Sequence, residues 1–177
     1  MQGKEAADYV NALIPTGASL SQAFSTTLIQ TGIVDALKAR SDVNNFKAKA
    51  VAAMASGDTA GYAKFARQGA SADFFLSGVA AITADGNLHC VDASGSRLSG
   101  WHAAGKLVVV ASTSKIVSND AEAEERVGFQ YQLESARVRV AYGIPHSSLN
   151  NRVVMRSGNP WGPRVIVVLI SEEALGF

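Results

Sequence analysis

Two runs of residues limit this chain more than any other feature: Lys106-Leu-Val-Val-Val-Ala111 and Arg164-Val-Ile-Val-Val-Leu-Ile170. Both are apolar and largely β-branched, with no alternation between apolar and polar positions. A strand of that kind has no face to offer water, so it must be covered on both sides, as strands of parallel sheets are. Asp73-Phe-Phe-Leu-Ser77 and Asn87 to Val91 read as shorter strands, the second following an Asp85-Gly86 turn.

The segments between them read as helices. Residues 4–14 place Ala7, Val10, Leu13 and Ile14 at helical spacing, and Pro15 and Gly17 end the segment. Ala18 to Phe24 reads as a short strand, followed by Ser25-Thr-Thr27 as the capped start of a helix that stops at Gly32. Ile33 to Arg40, Asn44 to Ala55, Thr59 to Gln68 and Leu98 to Ala104 continue the helical pattern. Asn119 to about Val140 begins with a capping Asn or Ser and a run of acids suited to a helix N-terminus. Within it, Arg137-Val-Arg-Val-Ala141 also fits a strand. Strands alternating with helices predict an α/β fold with a mainly parallel sheet, as one domain over 1–177, helical over 1–71 and sheet-rich over 72–177.

Composition narrows the function classes. Sixteen Lys and Arg stand against fifteen Asp and Glu, a net charge of +1, which gives no general attraction to nucleic acid or an anionic membrane. The longest apolar run, Val165 to Ile170, is far too short to span a bilayer, and Met1 to Ile14 has no signal-peptide character. The expectation is a cytoplasmic protein. Cys90 is the only cysteine, so it reads as a small buried hydrophobe. His89, His102 and His146 fall in no metal-binding spacing, so neither a metal nor a cofactor is expected.

Ligands of open α/β sheets sit at the carboxyl ends of strands. Asp92-Ala-Ser-Gly-Ser-Arg97 occupies that position after the Asn87–Val91 strand, just before a helix. Ser94, Gly95, Ser96 and Arg97 could hold an anion there, although a solvated turn with Ser94 or Ser96 as cap is the plainer reading. Lys115 follows the strand ending at Ala111; an exposed turn lysine is the common case, an anion ligand or base the sharper one. Ser25 opens a third candidate anion site, and His146 sits in a loop that suits a reactive residue. From Ser135 to Ser171 there is no acid and no lysine, only five arginines (Arg137, Arg139, Arg152, Arg156, Arg164). That asymmetry could mark a face for an anionic ligand; the favoured explanation is pairing with the acids between Asp120 and Glu125 across the fold.

The stretch from Ala72 to Arg97, with its Ala81-Ile-Thr-Ala-Asp-Gly86 turn and Asp92-Ala-Ser-Gly-Ser-Arg97, resembles the central signature of the LUD (lactate-utilisation) domain family. Gly105-Lys-Leu-Val-Val-Val110, Ser114-Lys-Ile-Val117, Arg126 and the closing Val167-Val-Leu-Ile-Ser-Glu-Glu-Ala-Leu-Gly-Phe177 continue the likeness in order. Ser25-Thr-Thr-Leu-Ile-Gln-Thr-Gly32 is similar to its upstream segment. The resemblance implies a Rossmann-like fold shared with ribose-phosphate isomerases and CoA-transferases. It also implies a link to lactate or organic-acid utilisation beside redox partners. By position, Asp85, Gly86, Asp92, Gly95, Arg97, Lys115 and Glu173 carry the family's polar signature, with Asp85, Asp92, Lys115 and Glu173 the catalytic candidates. Ala23-Phe24 stands where relatives show Gly-Gly, Val79 and Ser96 replace asparagines, and Arg152 to Arg164 lacks the cysteines common in relatives.

Three functions remain open on these grounds. The first is binding of a small anionic metabolite through Ser25, Gly86, Ser94, Gly95, Ser96 and Arg97. The second is a non-catalytic subunit or scaffold of a redox complex, and the third an isomerase or acyl-transfer enzyme. A homo-oligomer fits any of them.

Overall fold

The central run does run between two covers in a computed structural model, which describes residues 1–156, 162–171 and 176. Five parallel strands form the main sheet: β1 (Ser19–Gln22), β2 (Asn44–Asn45), β3 (Phe74–Ser77), β6 (Lys106–Ser112) and β9 (Val165–Ile170), in the order β2-β1-β3-β6-β9. Leu107, Val108, Val109, Val110 and Ala111 of β6 are all 0% exposed. Side chains of a strand alternate between faces, and the packing follows. Val108 and Val110 join Leu20, Leu76 and Ile170 against α1 (Gly3–Leu13), α2 (Thr26–Gln30) and α3 (Ile33–Ala39). Leu107, Val109 and Phe75 face the opposite way, onto Trp101 of α6 (Ser96–Ala103) and onto Ile82, Leu88 and Cys90.

Those last residues belong to a second sheet, which the sequence reading missed. Its strands are β4 (Ala81–Thr83), β5 (Leu88–Asp92), β7 (Ile116–Val117) and β8 (Asn151–Met155), in the order β7-β4-β5-β8. β5 is the strand expected at Asn87 to Val91, but it pairs antiparallel with β4 and with β8 rather than joining the parallel sheet. The cause is local: Gly86 at φ +91° makes the Asp85-Gly86 turn a hairpin, so the chain doubles back at once. One cover of the central sheet is therefore helical. The other is made by α6 with this second sheet over β3 and β6, and by two further helices, residues 46–55 and 59–70, over β1.

The helices fall close to their expected places. α4 (Phe46–Ala55) is capped by Asn45 and α5 (Thr59–Ala70) by Asp58, whose carboxylate accepts from the Gly61 N–H at 2.8 Å. α7 (Asp120–Tyr142) is one continuous helix, so Arg137 to Ala141 is not a strand, and Asn119 caps it. Its acids meet the arginines of the second sheet: Arg152 bonds Glu124 and Arg156 bonds Asp120. His89, 2% exposed, places Nε2 2.8 Å from Asp120 Oδ1. Arg156 first, then His89, holds the Asp120 carboxyl at about 2. Cross-fold pairing therefore accounts for Arg152 and Arg156, but Arg164 bonds the carbonyls of Trp101 and Ala104 instead. Arg137 pairs within α7, with Glu134. Cys90 is buried, and burial above all pushes its thiol up to about 12. No described helix is long and apolar enough to cross a membrane.

The packing of α6 against Phe75 gives a stability test. A Cβ on Gly100 would stand 2.2 Å from the Phe75 ring, whereas one on exposed Gly128 meets nothing within 4 Å. Urea denaturation should show Gly100→Ala costing about 1–3 kcal/mol and Gly128→Ala gaining about 0.5–1 kcal/mol.

Candidate functional site

The carboxyl ends of four central strands open into one cleft. β1 runs into Ala23 to Ser25, β3 into Gly78 and Val79, and β6 into a 3₁₀ turn at Thr113–Lys115; Gly176 follows β9. α7 forms the opposite wall. The wider part, about 250 Å³, is lined by Asp92, Ser94, Ser96, Tyr131, Arg137 and Tyr142 among others. A narrower part of about 40 Å³ reaches Ser25, Thr27, Gly78, Val79, Lys115 and Gly176. Phe24, Arg97, Gln130 and Glu134 line both parts, which makes them continuous. Gly78 permits the close fit, since a Cβ there would lie 2.6 Å from the Ser25 hydroxyl.

Lys115 is the inner end of the cleft. Instead of the exposed turn residue that is the common case, it is 3% exposed. The 3₁₀ turn, fixed by the Ser114 N–H donating to Ser112 Oγ at 3.2 Å, carries the side chain inward. Its ammonium donates to the Val79 carbonyl at 3.3 Å and to Thr27 Oγ1 at 3.4 Å. Burial, helped by the positive charges of Arg126 and Arg97, lowers it to about 8. Arg126 donates its Nε to the Ala80 carbonyl at 3.0 Å and is itself pushed down by burial. Among the described residues, none of Lys115, Arg97 and Arg126 has a carboxylate ion-pair partner.

Arg97 spans the cleft. One terminal nitrogen donates to the Phe24 carbonyl at 2.6 Å and the other, at 3.4 Å, to that of Val91; Nε is buried beside the Cys90 thiol, with no nitrogen or oxygen partner among the described residues. Asp92 holds the start of α6: its Oδ2 accepts from the Arg97 backbone N–H at 3.0 Å. The residue at the cap position is Gly95, at φ +83°, rather than Ser94 or Ser96. Asp92 fills the acceptor role because the loop bends its carboxylate back over the first turn, leaving the two serine hydroxyls 3.0 Å apart at the cleft. Ser25 caps α2, accepting from the Leu28 N–H at 3.4 Å.

The sequence candidates thus divide. Ser25, Asp92, Ser94, Ser96, Arg97 and Lys115 line the joined cleft, and Gly95 stands in the loop between. Asp85 and Gly86 are in the β4–β5 hairpin instead, lining a separate hollow with Met155 and Arg156. There Asp85 accepts from Thr83 Oγ1 and, at 3.3 Å, from the Asn87 amide. Glu173 lies outside the described residues. His146 is an exposed loop residue, and among the described residues no group of three His, Cys, Asp or Glu could hold a metal.

On the helical wall Gln130 and Glu134 were missed. Arg137 was marked among the five arginines, and Arg126, which stands on the same helix beyond the lining itself, within the family likeness. Arg126, Gln130, Glu134 and Arg137 recur at intervals of four, four and three, which is one face of a helix. That polar stripe was a readable signal. Glu134 bonds Arg137 with both oxygens, and the guanidinium stacks between Phe24, 4.6 Å from the ring centre, and Tyr142, 5.5 Å away. The Glu134 bonds raise Arg137 above its ordinary range, so it stays charged. The Gln130 amide oxygen is buried without a partner.

Comparison with known proteins bears on the fold and the family. No curated protein matches the sequence. A DUF162 family protein from Deinococcus radiodurans is 16% identical, with 96% of this chain and 94% of that one covered and a TM-score of 0.41. Ribose 5 phosphate isomerase A from Neisseria gonorrhoeae is 13% identical over 86% of this chain and 73% of its own, at a TM-score of 0.42. The eIF2B delta chain from Chaetomium thermophilum is 16% identical over 70% of this chain, at a TM-score of 0.45, and this chain covers 50% of its length. The family model of the LUD domain matches residues 1–170, and the chain belongs to that family.

Proposed function

We propose that the cleft binds a small anionic metabolite, a carboxylate or phosphate ester, in line with organic-acid utilisation. The observation that carries this reading is the gathering of Lys115, Arg97 and Arg126 at one end of the sheet without a carboxylate partner among the described residues. Unpaired, partly desolvated cations of one sign repel one another, and an anion relieves that repulsion. Lys115 would hold the anion at the narrow end with the Thr27 hydroxyl beside it, and the Arg97 guanidinium, which lines both parts of the cleft, would add positive charge. Asp92, Glu134 and Gln130 would orient the remainder of the ligand. The reading keeps a cytoplasmic setting, a redox-protein partner and a homo-oligomer as proposals, and leaves the reaction undefined.

The scaffold reading has one observation in its favour. Arg97 and Asp92 both serve the fold, tying the 92–97 loop to Phe24 and to α6. Isothermal titration with lactate, inorganic phosphate and a sugar phosphate separates the two. Anion binding at pH 7 should fall about 10- to 100-fold in Lys115→Gln, the loss of one charged hydrogen bond. It should also weaken as pH rises through about 8, where the unliganded ammonium loses its proton. If none of the three anions binds, the anion-site reading is lost and the scaffold stands.

Stability tests Lys115 without any ligand. Its folded pKa of about 8 is below the ordinary 10.5, so between those values the unfolded chain holds more protons. Stability of the wild type should therefore rise with pH across that window. Urea melts of Lys115→Met should show a more stable protein at pH 7, with the advantage shrinking toward pH 10.5 and no matching rise of its own.

A further inference from the structure

On the other side of Phe24 lies a groove of about 380 Å³, larger than the cationic cleft and different in chemistry. Ile29 of α2, Val34 of α3 and Ala48, Val51 and Ala52 of α4 form its walls, and Gln22 to Ser25 its base. Apolar side chains there stay open to solvent: Val51 is 54% exposed, Ile29 47% and Phe24 45%. Among the described residues no acid lines it, and its charged groups are Lys38 and Lys47, both positive. Lys38 has Asp35 at 3.9 Å, whereas Lys47 has no ion pair or hydrogen bond among the described residues, and burial lowers its pKa. At the base, Gln22 is 8% exposed with its amide oxygen unpartnered among the described residues, and turning the amide would present its NH₂ as a donor instead.

An apolar trough with an unpaired cation at its side is the complement of an apolar chain ending in an anion. Its volume lies at the small end of ligand sites, about 300–1,000 Å³. We propose that this groove binds the alkyl chain of a medium-chain carboxylate, with the chain between α4 and α2–α3 and the carboxylate on Lys47. The site is separate from the anion cleft and does not depend on it. The Lys47 ammonium supplies a charged contact that a lysine with an acidic neighbour could not, and the base polar group bonds the second carboxylate oxygen. The wall residues take up methylenes with no directional demand, so chain length sets affinity and the charged end sets orientation.

Titration of alanine-methyl-labelled protein with hexanoate, octanoate and decanoate, each below its micelle concentration, tests this by NMR. The methyls of Ala48, Ala52 and Ala55 should shift, and affinity should rise about fourfold for each added methylene. Lys47→Gln should weaken the carboxylates about tenfold and leave octanol binding unchanged, while Lys115→Gln, which alters the anion cleft and neither lines this groove nor bonds Phe24, should change neither. Ala52→Trp, which fills the groove, should abolish binding. The proposal is overturned if no acid shifts those methyls, if hexanoate and decanoate bind equally, or if Lys47→Gln leaves the acids unaffected. It is likewise overturned if sedimentation shows the groove covered by a second copy, with self-association lost in Val51→Glu.

Discussion

The burial of both faces of β6 is the constraint on which the rest depends. Five successive residues, Leu107 to Ala111, are removed from water, and fully burying one such aliphatic side chain is worth about 1.5–3 kcal/mol. That gain requires two covers, and the chain supplies unlike ones. Helices α1 to α3 close one face; α6 and a second sheet close the other. A sheet used as a cover carries its own strand-end loops, so the loop after β5 arrives over the carboxyl ends of the central strands. Arg97 therefore reaches the cleft from the cover and Lys115 from the central sheet itself.

Charge is sorted by the same arrangement. The near-neutral total conceals a partition in which the first turns of α7 spend their carboxylates on Arg152, Arg156 and His89 of the second sheet. Later in the same helix, Glu134 is taken by Arg137. Among the cations left without an acid by the described residues, Arg97, Lys115 and Arg126 are the ones gathered at the strand ends. A positive site thus arises in a chain whose composition predicts none, because pairing elsewhere consumes the opposite charge.

Legibility in the sequence followed the length and strength of each pattern. β6 and β9 were plain as strands from unbroken apolar runs, and α4, α5 and α7 from caps and alanine-rich or acid-led stretches. β9, however, at the sheet edge, is covered on one face only, with Val167 and Leu169 exposed where both faces were expected to be buried. β4 and β8 were not legible. Ala81–Thr83 is three residues inside what reads as a turn, and Asn151–Met155 alternates exposure with arginine in place of an apolar run. Their partners set their conformation, which local propensity does not encode. The cleft was legible in part: the 92–97 loop, Ser25 and Lys115 were marked, but nothing in a four-residue turn says which way a lysine points. Gln130 and Glu134 went unread, and Arg126 was marked only within the family likeness, although the spacing of the three places them on one helix face. Asp85 was marked by its turn, and the turn proved to be its whole local setting, with Thr83 and Asn87 bonded around it.

Phe24 divides the molecule's two hollows, lining the cationic cleft on one side and the apolar groove on the other. Its ring is also held under the Arg137 guanidinium. A wall shared by two chambers cannot be moved for one alone. Any occupant that displaces the ring changes the volume offered to the other, and thermodynamic linkage makes that influence equal in both directions. Phe24, one residue before the Ser25 cap of α2, is thus a partition whose size bears on both chambers, so a substitution there reshapes two hollows where one at Lys47 or Lys115 touches a single one.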